Sequence, residues 1–173
     1  WYEKTEIDKV YDGYIERHWW FNDFPRPQFG VEMNLDKEKL KDVNVRLGLA
    51  HALNYDKVIK VQFWGDYNRL PGFVDGFGDF VNPDVKPRPF SPQKAREFFA
   101  KAGFTEEDGD GILKKPDGTR LEFDLSHYAI KTYSDIMSIL KTEARSSGVD
   151  LILDGKDPSI VFTEAMDKKF ELT

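Results

Sequence analysis

The sequence predicts an α/β lobe. From residue 91 onward, segments with helical period alternate with segments of strand period, in the order α, β-hairpin, α, β, α, β. Two of the helices open on a cap followed by proline, Ser91-Pro92 and Asp157-Pro158, and two close on glycine, at Gly103 and Gly148. Four Trp, seven Tyr and fourteen Phe give the chain ample apolar area for a core.

The N-terminal third reads less plainly. Tyr14 to Trp20 has the composition of a strand after a turn at Asp12-Gly13. Pro25 and Pro27 break the chain. Gln28 to Leu35 then alternates Phe29, Val31, Met33 and Leu35 against polar residues, with Gly30 as the exception, which is the pattern of a half-buried strand. Residues 36–61 follow helical spacing, with Val43, Arg46, Leu47, Ala50, Leu53 and Asn54 on one stripe that Leu49 and Ala52 widen. Asn54-Tyr55-Asp56 interrupts it and caps a second helix carrying Val58, Ile59 and Gln62. Residues 62–90 show neither period. Phe63, Trp64, Tyr67, Phe73, Phe77, Phe80 and Phe90 are scattered among glycines and prolines, so these rings must pack on something or line a surface.

The remaining elements are cleaner. Ala95, Phe98, Phe99 and Ala102 form the stripe of the helix that Ser91 caps. Ile112 to Lys115 and Arg120 to His127 read as a hairpin around Pro116-Asp117-Gly118-Thr119. Thr132 to Ser147 is a helix with Ile136, Ile139, Leu140 and Ala144 on one face. Val149 to Leu153 is a buried strand, the helix after Asp157-Pro158 carries Ile160, Val161, Ala165 and Met166, and Lys169 to Thr173 begins a last strand.

Composition excludes several function classes. With no cysteine there is no disulfide framework, cysteine-ligated metal or thiol nucleophile. A net charge of −6 and a pI near 5.2 argue against nucleic acid as a partner. No apolar run reaches the ~20 residues of a membrane helix. The chain begins at Trp1 without the charged and apolar regions of a signal peptide, and reads as an internal piece of a longer protein.

Candidate chemistry is sparse. His18, His51 and His127 are far apart and none pairs with a carboxylate at ligand spacing, so no metal site or catalytic residue is assigned. Glu106 to Asp117 resembles a calcium loop imperfectly, with Glu in the first position and Asp in the last; the competing reading is a plain Asp/Gly turn. No nucleophile elbow, P-loop or dinucleotide fingerprint is present, so an enzyme, a hydrolase included, has no positive support and no cofactor is implied. What remains are two stretches of aromatic and polar residues at element ends, Phe63 to Asn68 and Ser126 to Tyr133. Loops beyond the carboxyl ends of strands are where open α/β sheets place ligands. Trp64, Tyr67, Asn68, His127, Tyr128 and Lys131 are therefore the candidate ligand-binding residues, suited to a peptide or a sugar. For these residues a core ring or an exposed loop is the competing reading. For the aromatic stretch 62–90 it is a surface that docks a protein partner.

The segment order resembles a known family. Val45 to Ile59, with Ala50-His51-Ala52-Leu53-Asn54-Tyr55-Asp56-Lys57 at its centre, is similar to a helical stretch of the bacterial extracytoplasmic solute-binding proteins of family 5. Asn82-Pro83-Asp84-Val85-Lys86-Pro87 with Ser91-Pro92-Gln93-Lys94-Ala95, then Ala102-Gly103-Phe104, Asp108 to Leu113, Lys115 to Thr119, and Asp157-Pro158 through Leu172 continue the likeness over roughly residues 28–173. Tyr55 departs from the family's usual Asp or Asn, and Asp157-Pro158 stands where an aromatic, commonly Trp, lines the cleft. The family's acidic residue for a peptide's amino end would lie beyond Thr173.

The resemblance implies one lobe of a two-lobed periplasmic-binding-protein-like fold of class II type, built on a mixed sheet. Residues 1–35 would be the end of the first lobe or the inter-lobe crossing strands, and 36–173 the second lobe. It implies a non-enzymatic receptor feeding an ABC importer, whose partners are a small solute, an oligopeptide by preference, the permease subunits, and the missing first lobe of the same chain. The location implied is periplasmic or extracellular, with a lipoprotein tether in the full-length protein as one form.

Overall fold

A parallel strand–helix–strand unit positions everything else. In the computed structural model, which describes residues 7–16, 18, 20, 24, 29–72 and 76–173, strand β3 (Glu122–Tyr128) pairs in parallel with β4 (Asp150–Lys156), Glu122 against Asp150 through Tyr128 against Lys156. Helix α6 (Lys131–Ser146) makes the crossover. Two shorter ribbons extend the sheet. Leu172 bridges Leu125 in parallel and Met33 antiparallel, so the order is β4, β3, the 171–173 ribbon, the 31–34 ribbon. The sheet is thus mixed.

Helices pack beside it. Among the described residues they are, in chain order, α1 (Asp8–Tyr11), which buries no residue, α2 (Glu38–Lys41), α3 (Val43–Ala52), α4 (Tyr55–Gln62), α5 (Pro92–Lys101), α6 and α7 (Pro158–Met166). Helix α6 packs on β3 and β4 and against α3 and α4, while α7 packs on β3. The core is continuous from Leu40, Val45 and Leu49 through Phe99 and Phe104 to Phe123, Leu125, Ile136, Leu140 and Leu151. At Gly48 α3 and α5 approach so closely that a Cβ would overlap the Phe99 ring. Gly148, at φ 81°, ends α6 in the left-handed conformation expected of a C-terminal glycine.

Local signals explain the boundaries. Asp42, Asn54, Ser91 and Asp157 each accept an amide of the first turn of the helix that follows. The turn Asp108–Gly111 joins β1 (Glu106–Glu107) to β2 (Leu113–Lys114), and Lys115 to Thr119 forms a second turn, closed by a bridge between Lys114 and Arg120. The expected hairpin is therefore present, but its second arm is paired at one bridge before it becomes β3.

Several expectations need correction. The strand over 14–20 is not formed at its described positions, which are mostly exposed and have no ribbon beside them; a helical turn, α1, precedes them instead. Arg17 and Trp19 lie outside the described residues, as do Pro25, Pro27, Gln28 and Phe73. The strand over 28–35 shrinks to a bridge at Met33. Asn34, not Leu35, is its buried end, because its amide reaches the carbonyls of Lys168 and Phe170 at 2.9 and 2.8 Å. The last strand is likewise a bridge, at Leu172. Strand β4 runs three residues past Leu153, because parallel pairing with β3 continues to Lys156. The buried face of α3 is Val45, Gly48, Leu49 and Ala52; the stripe through Val43, Arg46, Leu47 and Ala50 is the half-exposed side. On α7 only Val161 is buried.

Candidate functional site

The two candidate groups flank different elements. His127 and Tyr128 end β3, and Lys131 opens α6, so all three lie at the carboxyl end of the parallel pair. The Ala129 amide donates to the Lys156 carbonyl at 2.7 Å, which closes that end. His127 is buried; its Nδ1–H donates to the Tyr128 carbonyl at 2.9 Å, and its ring lies against Gly155. Tyr128 is half-buried. Its ring packs on Tyr133 with centroids 5.1 Å apart, and Tyr133 packs on Phe29 at 5.7 Å. Lys131 is exposed and pairs with Asp135 at 2.7 Å.

Trp64, Tyr67 and Asn68 follow α4. The Gly65 amide returns to the Ile59 carbonyl at 3.0 Å and the Asp66 amide to Phe63 at 2.9 Å, so the helix ends in a tight turn. Trp64 itself sits at φ 50°, a left-handed conformation that costs about 1–2 kcal/mol for a residue other than glycine. That strain is stored at an indole 57% exposed. Tyr67 is 60% exposed and packs one face on Phe63 at 4.5 Å. The loop beyond is held from α4: Arg69 lies over the Tyr55 ring at 5.3 Å, pairs with Asp56 at 3.6 Å and donates to the Arg88 carbonyl at 3.2 Å. Burial pushes the Tyr55 hydroxyl above its usual range, and that oxygen accepts the Val31 amide at 2.9 Å. At the far end of the loop His51 Nδ1–H donates to the Pro89 carbonyl at 2.8 Å, and its ring stacks on Phe98.

Sequence reasoning missed a polar cluster at the same strand ends. Lys156 Nζ lies 2.8 Å from Asp154 and 2.8 and 2.9 Å from the Glu164 oxygens of α7, and 3.5 Å from Ser126 Oγ. The signal was the alternation of Asp154 and Lys156 beyond Leu153. A serine beside a lysine invites comparison with a Ser–Lys pair, but the hydrogen bonds that Lys156 donates to Asp154 and then to Glu164 raise the ammonium above its usual range. It therefore stays protonated and is no base for Ser126. Tyr133 and Phe29, which extend the Tyr128 ring cluster, were also not singled out.

The Glu106–Asp117 stretch is the Asp/Gly turn. Asp108 Oδ1 accepts the amides of Asp110 and Ile112 at 2.9 and 3.0 Å, and Oδ2 accepts Arg120 Nε at 2.7 Å. The Ile112 amide first, then Asp110 and Arg120, hold that carboxyl below the usual range. The same guanidinium reaches Asp110, Glu122 and Asp150, so a side-chain cation already fills the loop. Among the described residues no group of three or more His, Asp or Glu is arranged to hold a metal ion. Flat rings with polar edges beside strand ends equip this surface to stack on and hydrogen-bond a ligand.

Comparison with known proteins places the chain. The model of the bacterial extracellular solute-binding proteins, family 5, middle region, matches residues 7–173. The nickel-binding periplasmic protein of Escherichia coli is 27% identical over 141 residues, 81% of this chain and 27% of that protein. The oligopeptide-binding protein AppA of Bacillus subtilis is 27% identical over 124 residues, 70% of this chain and 23% of AppA. Among solved structures, NikA of Brucella suis in complex with Fe(III)-EDTA superposes with a TM-score of 0.70 at 27% identity, covering 82% of this chain and 28% of NikA. The chain thus spans about a quarter of the length of these relatives.

Proposed function

The chain belongs to the bacterial extracellular solute-binding proteins of family 5, and from that premise we propose that it forms one lobe of a receptor that delivers a peptide-like solute to an ABC importer. The solute lies against the carboxyl ends of β3 and β4. Trp64, Tyr67 and Tyr128 stack on it, Asn68, His127 and Lys131 offer polar edges, and no covalent step occurs. The opposite wall of the cleft comes from the other lobe of the polypeptide, and closure of the two traps the solute. Delivery then involves permease subunits, in the periplasm or outside the cell, with or without a lipid tether. Residues 1–35 serve as the end of the first lobe or the crossing strands, with their 31–34 ribbon joining the sheet, and 36–173 as the second lobe.

One observation carries the reading: an exposed indole on strained backbone and a ring cluster at the ends of parallel strands, in a chain matched by this family almost end to end. Peptide is placed first because the proposed cleft-side residues are aromatic and polar with one exposed cation, Lys131, which is paired with Asp135, and because AppA, named for oligopeptides, matches 70% of the chain. A thermal-shift screen with short oligopeptides, manno-oligosaccharides and a nickel–histidine chelate tests it. A ligand that binds only the folded state raises Tm by mass action. The oligopeptides are expected to raise it, and Trp64→Ala and Tyr128→Ala each to remove most of that rise. A rise only with the chelate, or one that survives both substitutions, contradicts the assignment.

A further inference from the structure

One polar cluster ties three elements together at the ends of the parallel pair. Ser126-His127-Tyr128 runs beside Asp154-Gly155-Lys156, residue for residue. Successive side chains leave a strand on opposite faces. On one face His127 rests on Gly155, where a Cβ would come within 3.1 Å of the imidazole Cε1. On the other, Lys156 Nζ lies 2.8 Å from Asp154, 2.8 and 2.9 Å from the two Glu164 oxygens of α7, and 3.5 Å from Ser126 Oγ. The two residues that flank Gly155 are therefore the two of β4 that form this cluster.

Lys156 is the last residue of β4 and is held through both backbone and side chain. Its carbonyl accepts the Ala129 amide at 2.7 Å, which fixes the turn between Tyr128 and α6. Its side chain is 24% exposed and that of Glu164 25%, so their pairing lies mostly out of water, where charges interact more strongly. The bonds to Asp154 and then Glu164 keep the ammonium charged. Element ends open more readily than their middles. A cation gripped by α7 at the terminal pair of strand residues resists that opening. A neutral side chain in its place would leave two carboxylates facing one another.

We propose that Lys156 is a positioning residue of the solute site. Bound to Asp154 and Glu164, it fixes the 154–156 backbone on which the His127 ring is seated, and the turn that follows Tyr128. It acts through His127 and does not itself touch the solute. The inference rests on the solute site proposed above and adds to it a residue on the far face of the strands, joined to α7.

Imidazole proton–carbon spectra at fixed pH test the positioning without any solute. The protein has three histidines, so the signals are few, and His127→Asn identifies the one that matters. Lys156→Met is expected to move the His127 signal and to leave those of His18 and His51 in place. The same variant is expected to weaken oligopeptide binding, read by calorimetry, by about tenfold. Glu164→Ala is expected to act in the same direction by less, and the two losses to be less than additive in the double variant. Should Lys156→Met not fold, Glu164→Ala, which keeps the pair of Lys156 with Asp154, decides alone. A His127 signal unmoved in the folded variants overturns the proposal. A fall in Tm with that signal and the affinity unchanged would make Lys156 a stability residue only. A loss of affinity with the signal unmoved would mean that Lys156 touches the solute itself. If the unaltered protein takes no oligopeptide, the proposed function fails, and the imidazole signals still decide whether Lys156 positions His127.

Discussion

At the residue scale, the strained backbone of Trp64 sets stability against the binding role proposed for its ring. Its left-handed φ is a conformation that glycine adopts without steric cost, and its ring is more exposed than buried. Trp64→Gly is therefore expected to leave Tm unchanged or raise it, by up to about 1 kcal/mol of relieved strain, while abolishing the oligopeptide-induced rise in Tm. Thermal melts with and without the peptides read both effects from one experiment. A fall in Tm would instead identify Trp64 as a packing residue. Not all of this was legible in the sequence. The Trp64-Gly65 pair marks a helix end, but nothing in a sequence reveals that the non-glycine member holds positive φ. Asn34 is a similar case: a polar residue in an alternating strand reads as solvent-facing, yet it joins segments over 130 residues apart, at Lys168 and Phe170.

At the scale of elements, the contact between α4 and α6 titrates. Glu143 accepts Lys57 Nζ at 2.6 Å and Asn54 Nδ2 at 2.8 Å, so one carboxylate joins α6 to both the cap and the first turn of α4. Those bonds, Lys57 first and Asn54 second, hold its pKa below the ordinary 4.5. A carboxyl with a depressed folded pKa contributes stability above its unfolded value and loses it as pH falls through the folded one. Glu143→Gln is expected to lower stability by about 1 kcal/mol at neutral pH. The gap between the two proteins is expected to close as pH drops below 4.5. Chemical denaturation at neutral pH and in the acid range checks it; a gap independent of pH would mean that the charge on Glu143 is immaterial.

Elements were read well wherever local chemistry decides them. Caps at Asn54, Ser91 and Asp157 and the glycine after α6 put helix ends where the sequence placed them. Misreadings fell where partners from distant sequence decide. The apolar side of α3 is rotated from the expected stripe because Phe99 of α5 needs the space at Gly48. Strand β4 extends through Asp154 and Lys156 because β3 pairs with it and α7 brings Glu164. Periodicity reports that a face is apolar, not which neighbour covers it.

At the scale of the whole molecule, the aromatic rings divide by position. Phe99, Phe104 and Phe123 are in the core, whereas Trp64, Tyr67, Phe77 and Phe80 of the long loop stay exposed. The sequence showed rings scattered over residues 62–90 but not which would be covered, since that depends on tertiary neighbours that periodicity does not report. Family membership and the α/β architecture were both legible from segment order. The solute was not, because relatives matching at the same identity are named for nickel in one case and for oligopeptides in another.

The most direct measurement of where a solute binds is hydrogen–deuterium exchange of the protein with and without a pool of short oligopeptides. Slowed exchange is expected in two segments, residues 63–68 after α4 and residues 127–133 from the end of β3 into α6. Protection confined to the far end of the sheet, around the Asp108–Arg120 turn, or no protection in either segment at saturating peptide, would contradict the placement of the solute at the carboxyl ends of β3 and β4.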